Sequence, residues 1–338
     1  MTAFPSFPSE AFACALRRHL GVFALLVAPA FAASAADTPT MTVTLLGTGS
    51  PALSPDRFSV ATLVEAGSQK LLFDAGRGAS IRLWQAKVPL GRLDAVFLTH
   101  FHSDHTAGLP DIWLTGWIAR PYGNRRTPLK VIGPAGTKTL TDHLALAYAD
   151  DVRIRIADEN LPPAGARFDA REFAADGVVY EADGVRVRAF AVDHGALIHP
   201  AVGYRVDYAG RSVLLSGDTR FDERLICNAE GVDLLIHEVA SSADSLRELP
   251  NVKAILNHHV TPEQAGTVFS RSRPRLAVYS HIVLLGDETT APPTTAQVVE
   301  QTRRSYDGPL AVGEDLMRFV IGDKITQQRF DRASGAFE

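Results

Sequence analysis

The sequence predicts an α/β protein built as an αββα sandwich, two β-sheets face to face with helices on their outer sides. Three observations carry that expectation. The order hairpin, aspartate–glycine loop, helix, strand ending in histidine occurs twice, over residues 60–100 and again over residues 203–238. Helical stretches follow the β-rich runs in both halves, as two sheets covered by helices require. The chain has 338 residues, 46% of them apolar and 21% charged, enough to bury one large core.

In chain order, residues 41–46 read as a strand ended by Gly47-Thr48-Gly49-Ser50-Pro51. Residues 60–64 and 70–73 pair as a hairpin across Ala66-Gly67-Ser68-Gln69. Asp74-Ala75-Gly76-Arg77-Gly78 follows, then a helix over 79–86 and a buried apolar strand, Leu93 to Phe97. Residues 129–136 read as strand and turn, 137–148 as a helix, and 157–176, rich in Ala, Pro, Gly and Asp, as a surface connection. The second half repeats the first: strands over 203–208 and 212–215 across Ala209-Gly210-Arg211, then Ser216-Gly217-Asp218-Thr219, a helix near 221–229 and a strand over 232–238. Ala291-Pro292-Pro293-Thr294-Thr295 opens a last helix to about Tyr306, and residues 316–321 form a closing strand.

Residues 1–35 read as a secretory signal peptide. Arg17-Arg18 precede an apolar run over 20–32, and Ala33-Ser34-Ala35 offers the small-x-small cleavage pattern. The run is too short to span a bilayer as a mature helix. The expected mature chain is therefore a single domain, residues 36–338, in the periplasm and without a membrane anchor; Arg17-Arg18 leaves a twin-arginine route as the alternative to the general one. Loss of two arginines and one glutamate takes the net charge from −4 to −5. With no positive excess to hold a polyanion by electrostatics alone, a nucleic-acid partner is disfavoured without being excluded. Cys227 stays behind alone, which excludes an intramolecular disulfide; in a helix its default is a buried small apolar residue.

The stretch Leu98-Thr99-His100-Phe101-His102-Ser103-Asp104-His105 places three histidines and an aspartate within six positions at the end of a buried strand. Neutral imidazoles with a carboxylate are the donor set of zinc or a similar divalent ion. His100 and His102, two apart, project to one side of extended backbone, and Asp104 and His105 one turn on can face a second ion. Further along, His194, Asp218 and His281 each end a strand.

This H-x-H-x-D-H order, completed by His194, Asp218 and His281, resembles the metal-binding series of the metallo-β-lactamase superfamily. The resemblance implies the same sandwich and two zinc ions, with other divalent metals such as manganese as substitutes. It implies one ion on His100, His102 and His194, the other on Asp104, His105 and His281, and Asp218 bridging the two. Cys227 does not fit the cysteine ligand that true metallo-β-lactamases commonly use. His237-Glu238-Val239-Ala240 and His259-Val260-Thr261-Pro262-Glu263-Gln264-Ala265 resemble the H-E-A-T and H-S-T-x-E-x-A elements of ribonuclease Z. Leu46-Gly47-Thr48-Gly49-Ser50, Phe73-Asp74-Ala75-Gly76 and Ser280-His281 match the same group, so the likeness runs from about Thr42 to His281. The chain also looks like a secreted zinc arylsulfatase and cyclic-nucleotide phosphodiesterases. His258, Glu263 and Gln264 are expected to have no part in the chemistry.

The activity implied is hydrolysis of an ester by a hydroxide held between the metals, with Asp104 orienting it. His259, polarised by Glu238, serves the leaving oxygen. The first expectation is an exported dinuclear zinc hydrolase of phosphodiester or aryl sulfate esters, with a small anionic ester as its substrate. The alternatives are a ribonuclease Z acting on tRNA, a lactone or thioester hydrolase, and a metal-bearing binding protein without catalysis. Ribonuclease Z carries a long basic arm, whereas the region near residues 150–185 here is short and acidic. Relatives often dimerise, and no interface is legible in the sequence.

Overall fold

Alternation along the strands sorts side chains between an inner core and two outer ones, and this builds four layers. The computed structural model describes residues 39–338; the expected signal peptide lies outside the described residues. The first half runs β1 (Met41–Gly47), β2 (Ala61–Ala66), β3 (Gln69–Phe73), α1 (Ala79–Gln85), β4 (Ala95–Phe97), α2 (Ser103–Thr106), α3 (Leu109–Trp117), β5 (Leu129–Pro134), α4 (Thr137–Ala147), α5 (Ala149–Glu159) and β6 (Phe168–Phe173). The second half runs β7 (Gly177–Ala182), β8 (Val185–Ala191), β9 (Val202–Tyr208), β10 (Arg211–Leu215), α6 (Glu223–Asn228), β11 (Leu234–Ser242), α7 (Pro250–Leu256), α8 (Pro262–Ser272), β12 (Leu276–Leu285), α9 (Thr295–Thr302) and β13 (Leu310–Val312). The chain then returns to the first sheet through β14 (Met317–Ile321) and β15 (Ile325–Gln328), and ends in a small hairpin, β16 (Phe330–Asp331) and β17 (Ala336–Phe337).

The first sheet has the order β15-β14-β1-β2-β3-β4-β5-β6 and the second β13-β12-β11-β10-β9-β8-β7. In the first, β3 to β6 are parallel; in the second, β10 to β13 are. Parallel strands are covered on both faces and read as apolar runs, and β11 is buried at every position. Between the sheets, Phe73 and Phe97 stack with ring centroids 4.7 Å apart, and Tyr204 of the facing sheet tilts onto both. Outside the first sheet, Leu72 and Val96 pack on Leu83 of α1 and Ile112 and Trp113 of α3. Outside the second, Leu214 and Leu235 pack on α6 and α8 through Leu225, Val268 and Phe269. Thr261 and Gln264 form a reciprocal cap at the start of α8, and Thr294 and Gln297 do the same for α9. Among the described residues, no helix is long and apolar enough to cross a membrane.

Several sequence expectations need correction. Residues 157–176 are not a plain connection, since β6 pairs in parallel with all of β5 as the edge of the first sheet. Phe168 anchors it on Trp113, ring centroids 4.4 Å apart, but its charged neighbours Asp169 and Arg171 mask the strand pattern. Helix α5, which has no buried residue, gives no apolar stripe to read. β14 is not the closing strand, because β15 follows it in the same sheet. Cys227 lies on the exposed side of α6 rather than in the core.

Candidate metal centre

The carboxyl ends of the parallel strands of both sheets meet at one crevice, the usual place for a ligand in such sheets. Backbone bonds close the seam there: Val202 N donates to Thr99 O at 3.0 Å, and the Tyr204 hydroxyl donates to Leu98 O at 2.6 Å. His100 follows β4 and His102 precedes α2, which then carries Asp104 and His105. His194 follows β8 and Asp218 follows β10. His281 does not end a strand as expected; it sits within β12 with φ of 45°, a left-handed conformation that a histidine adopts only when its surroundings hold it. A register shift between β11 and β12 accompanies it, and the kink turns the imidazole into the crevice that a regular strand would bypass.

The seven residues named from the sequence come together in two groups joined by Asp218. Ligand atoms of His100, His102, His194 and Asp218 lie within 4.8 Å of one another, and so do those of Asp104, His105 and His281. Asp218 Oδ2 is 3.8 Å from His100 Nε2, 3.6 Å from His194 Nε2, and 3.3 Å from both His105 Nε2 and His281 Nε2. Asp104 Oδ2 is 3.1 Å from His281 Nε2 and 3.7 Å from His105 Nε2. Bonds of 2.0–2.1 Å to a tetrahedral zinc would set ligand atoms about 3.3 Å apart, which falls within this range. Nε2 of His105, Nε2 of His194 and Oδ1 of Asp218 are buried with no hydrogen-bond partner, as atoms waiting on a cation would be. The donor set therefore fits divalent metal, and Asp218 is placed to touch both groups.

Three of the imidazoles are oriented from behind. His105 Nδ1 donates to Asp74 Oδ2 at 2.8 Å, and His194 Nδ1 donates to the His258 carbonyl at 2.7 Å. The Thr99 hydroxyl donates to Asp74 Oδ2 at 2.9 Å and accepts from His100 Nδ1 at 3.0 Å. With the proton fixed on Nδ1, the Nε2 lone pair of each of these three rings faces the centre. Burial pushes His100 well below its ordinary value and His194 down to about 4, which keeps both in the neutral, ligating form. Burial alone would lower His105 and His281 as well, but the Asp218 carboxylate, with Asp74 for one and Asp104 for the other, raises them. Burial would raise Asp218; His281, His105 and His100 around it hold it well below the usual carboxylate range.

Sequence reasoning assigned no role to Asp74 or Thr99, although Phe73-Asp74-Ala75-Gly76 had been singled out. Asp74 has φ of 56° immediately after β3, and an aspartate in that conformation at a strand end was the available signal. His258 was set aside, yet its carbonyl holds His194; a backbone role leaves no trace in side-chain identity.

Glu238 and His259 stand beside the two groups. His259 Nδ1 lies 3.2 Å from Glu238 Oε2, while Glu238 Oε1 accepts from Val260 N at 2.9 Å. Burial pushes the Glu238 carboxyl well above the usual range and His259 down to about 4. Both shifts oppose a separated ion pair, so the pair holds one proton between Oε2 and Nδ1 as a unit. His259 also lies within ligand reach of Asp218 and His281.

Residues 69–282 match the family model described as Beta-lactamase superfamily domain. The ribonuclease Z of Mycobacterium marinum is 36% identical over 288 residues, covering 82% of this chain and 98% of that protein. Among solved structures, the metallo-beta-lactamase fold protein YhfI from Bacillus subtilis superposes with a TM-score of 0.66 at 18% identity, over 84% of this chain and all of that one (100%). The short form of human tRNase Z superposes with a TM-score of 0.61 at 23% identity, again over 84% of this chain and 100% of that one. The two-sheet architecture is the metallo-β-lactamase fold.

Proposed function

Because the chain belongs to the β-lactamase superfamily, in the branch of its ribonuclease Z relatives, and is a metal-dependent hydrolase of phosphodiester bonds, we propose that its substrate is RNA, cut endonucleolytically as ribonuclease Z cuts it. The observation that carries this reading is the Glu238–His259 pair set beside the ligand groups. A binding protein would have no use for a proton donor there. The aryl sulfate half of the sequence expectation finds no support in these relatives and gives way to the phosphodiester half.

We assign two zinc ions to His100, His102, His194 and to Asp104, His105, His281, with Asp218 between them. Bound zinc supplies Lewis-acid charge to the phosphoryl oxygens and brings a water near neutral pKa. Asp104 meets the first requirement on the chain's side. Burial would raise its carboxyl, but the hydrogen bond from His281 keeps it below the usual range, so it stays an anion able to orient the attacking water. His259 meets the second. Its Nε2 gives a proton to the leaving oxygen while Nδ1 recovers one from Glu238 Oε2, so the pair ends one proton poorer, with the negative charge on the Glu238 carboxylate beside the Val260 amide until a proton returns.

One observation favours a smaller substrate. The stretch from α5 to β6 is short, and the first turn of α5 carries Asp150 and Asp151, not a basic arm. Export of the mature chain, residues 36–338, to the periplasm belongs to the same proposal and would separate the enzyme from cytoplasmic tRNA. The test is a panel on zinc-loaded mature protein with precursor tRNA, bis-p-nitrophenyl phosphate and p-nitrophenyl sulfate. Cleavage of precursor tRNA at one site supports the ribonuclease reading. Cleavage of only the small diester transfers the machinery to small phosphodiesters, and cleavage of only the sulfate overturns both.

A further inference from the structure

His259 faces more than the ligand groups. It also lines a groove of about 470 Å³ bounded by β11, α7 and the start of α8. Ser241 and Ser242 at the end of β11 line the same groove; they are 3% and 2% exposed, and neither hydroxyl has a hydrogen-bond partner among the described residues. A buried hydroxyl without an acceptor is costly, and a ligand bringing oxygen acceptors removes the cost. Arg220, Arg247 and Lys253 complete the wall.

The charges in the groove favour an anion. Among the described residues, Arg247 pairs with Asp244 at 3.3 Å and Lys253 with Glu248 at 2.9 Å, both solvent-exposed contacts that a phosphate can replace. Of the two acids in the lining, Glu263 is drawn off by Arg304 at 3.2 Å. The wider cavity of about 850 Å³, at the opposite ends of β8 to β10, sets Arg186, Arg188, Arg205 and Arg211 against as many acidic residues and has no such bias.

We propose that this groove is a subsite for a second phosphate of the substrate, carried on the alcohol that leaves, so that the enzyme selects oligonucleotides over isolated phosphodiesters. The inference rests on the reading of His259 as the proton donor to the leaving oxygen, since that places the leaving side of the substrate at the mouth of the groove. Arg247 and Lys253 take the phosphate charge, and the Ser241 and Ser242 hydroxyls donate to its oxygens.

The test compares UpU, pUpU and UpUp as inhibitors of bis-p-nitrophenyl phosphate hydrolysis by the zinc-loaded protein, with calorimetric titration of the same three. One of the two terminally phosphorylated dinucleotides should bind about tenfold more tightly than UpU, the worth of one well-placed charged contact. In the double variant Arg247→Met, Lys253→Met that ratio should fall close to one, and in Ser241→Ala, Ser242→Ala it should fall several-fold. The ratio is internal to each protein, so a partial folding defect does not alter it. Equal binding of all three by the parent protein overturns the proposal. A gain that survives both variants also overturns it, because the terminal phosphate is then held on the metal ions. If bis-p-nitrophenyl phosphate is not hydrolysed at all, the phosphodiesterase reading fails, and the calorimetric ratio still decides the groove.

Discussion

Asp74 Oδ2 receives His105 Nδ1 at 2.8 Å and the Thr99 hydroxyl at 2.9 Å, so one carboxylate orients His105 directly and His100 through Thr99. Asp74→Asn keeps the shape and removes the charge that both rings lean on. Zinc affinity should fall about 10- to 100-fold, the usual cost of losing such a partner. Competition with a chromophoric chelator measures it; unchanged affinity would mean that burial alone fixes the rings.

His259→Ala should retain its zinc by elemental analysis, since the seven assigned ligands do not include it and both groups stay complete without it. Hydrolysis of a ribose or alkyl diester should slow by roughly 10²–10⁴-fold, the range of a positioned general acid. A p-nitrophenyl ester, which leaves without help, should slow far less. Equal losses on both substrates would assign His259 to substrate placement, and loss of zinc would make it a ligand.

His237 is fully buried in β11, donates Nδ1 to the Glu238 carbonyl at 2.6 Å, and packs edge-on against Phe269. Burial lowers it to about 4, against 6.5 in an unfolded chain, so the native state holds it neutral. Its contribution is therefore complete above pH 6.5 and is lost as the pH falls toward 4, the loss by then amounting to about 3 kcal/mol. Urea unfolding of metal-free protein across that window should be steeper in pH for the parent than for His237→Asn. Parallel pH curves would rule the effect out.

Asp315 gathers five donors below the opening loop. Arg82 reaches Oδ2 with Nε at 3.1 Å and Nη2 at 2.9 Å, and Phe58 N joins them at 2.8 Å. Thr48 brings its amide and hydroxyl to Oδ1, each at 2.9 Å. Both charged side chains are buried. Asp315→Ala strands the guanidinium and should cost about 3–5 kcal/mol in urea unfolding. Arg82→Met combined with Asp315→Leu should cost clearly less than the two single changes added together; simple additivity would show that the charges do not interact.

The sequence revealed most where chemistry and periodicity coincide. His100-x-His102-x-Asp104-His105 and the repeated hairpin–helix–strand order point to both sheets and to the first four candidate ligands, because metal donors and buried strands each demand particular residue types at particular spacings. His194, Asp218 and His281 are isolated strand-end residues in the sequence that only the superfamily resemblance adds to them. What escaped was held by geometry instead. Asp74 acts through a backbone turn and His258 through its carbonyl, and the left-handed kink that turns His281 into the crevice lies inside a strand that reads as regular. Strand β6 and helix α5 escaped because their exposure frees the residue pattern from any apolar constraint.

The candidate ligands hang from opposite sheets, His100, His102, Asp104 and His105 from one and His194, Asp218 and His281 from the other. Metal bound across them acts as a rivet through a sliding joint. Any shear of one sheet over the other opens the ligand spacing, and it is resisted by the core between the sheets, in which the Phe73, Phe97 and Tyr204 rings interlock, and by the hydrogen bonds of the seam. Since an ion that binds only the riveted arrangement stabilises it in proportion to its own affinity, thinning that aromatic layer weakens the grip on metal without touching a ligand. Packing between the sheets and metal occupancy are, in this molecule, one mechanical property.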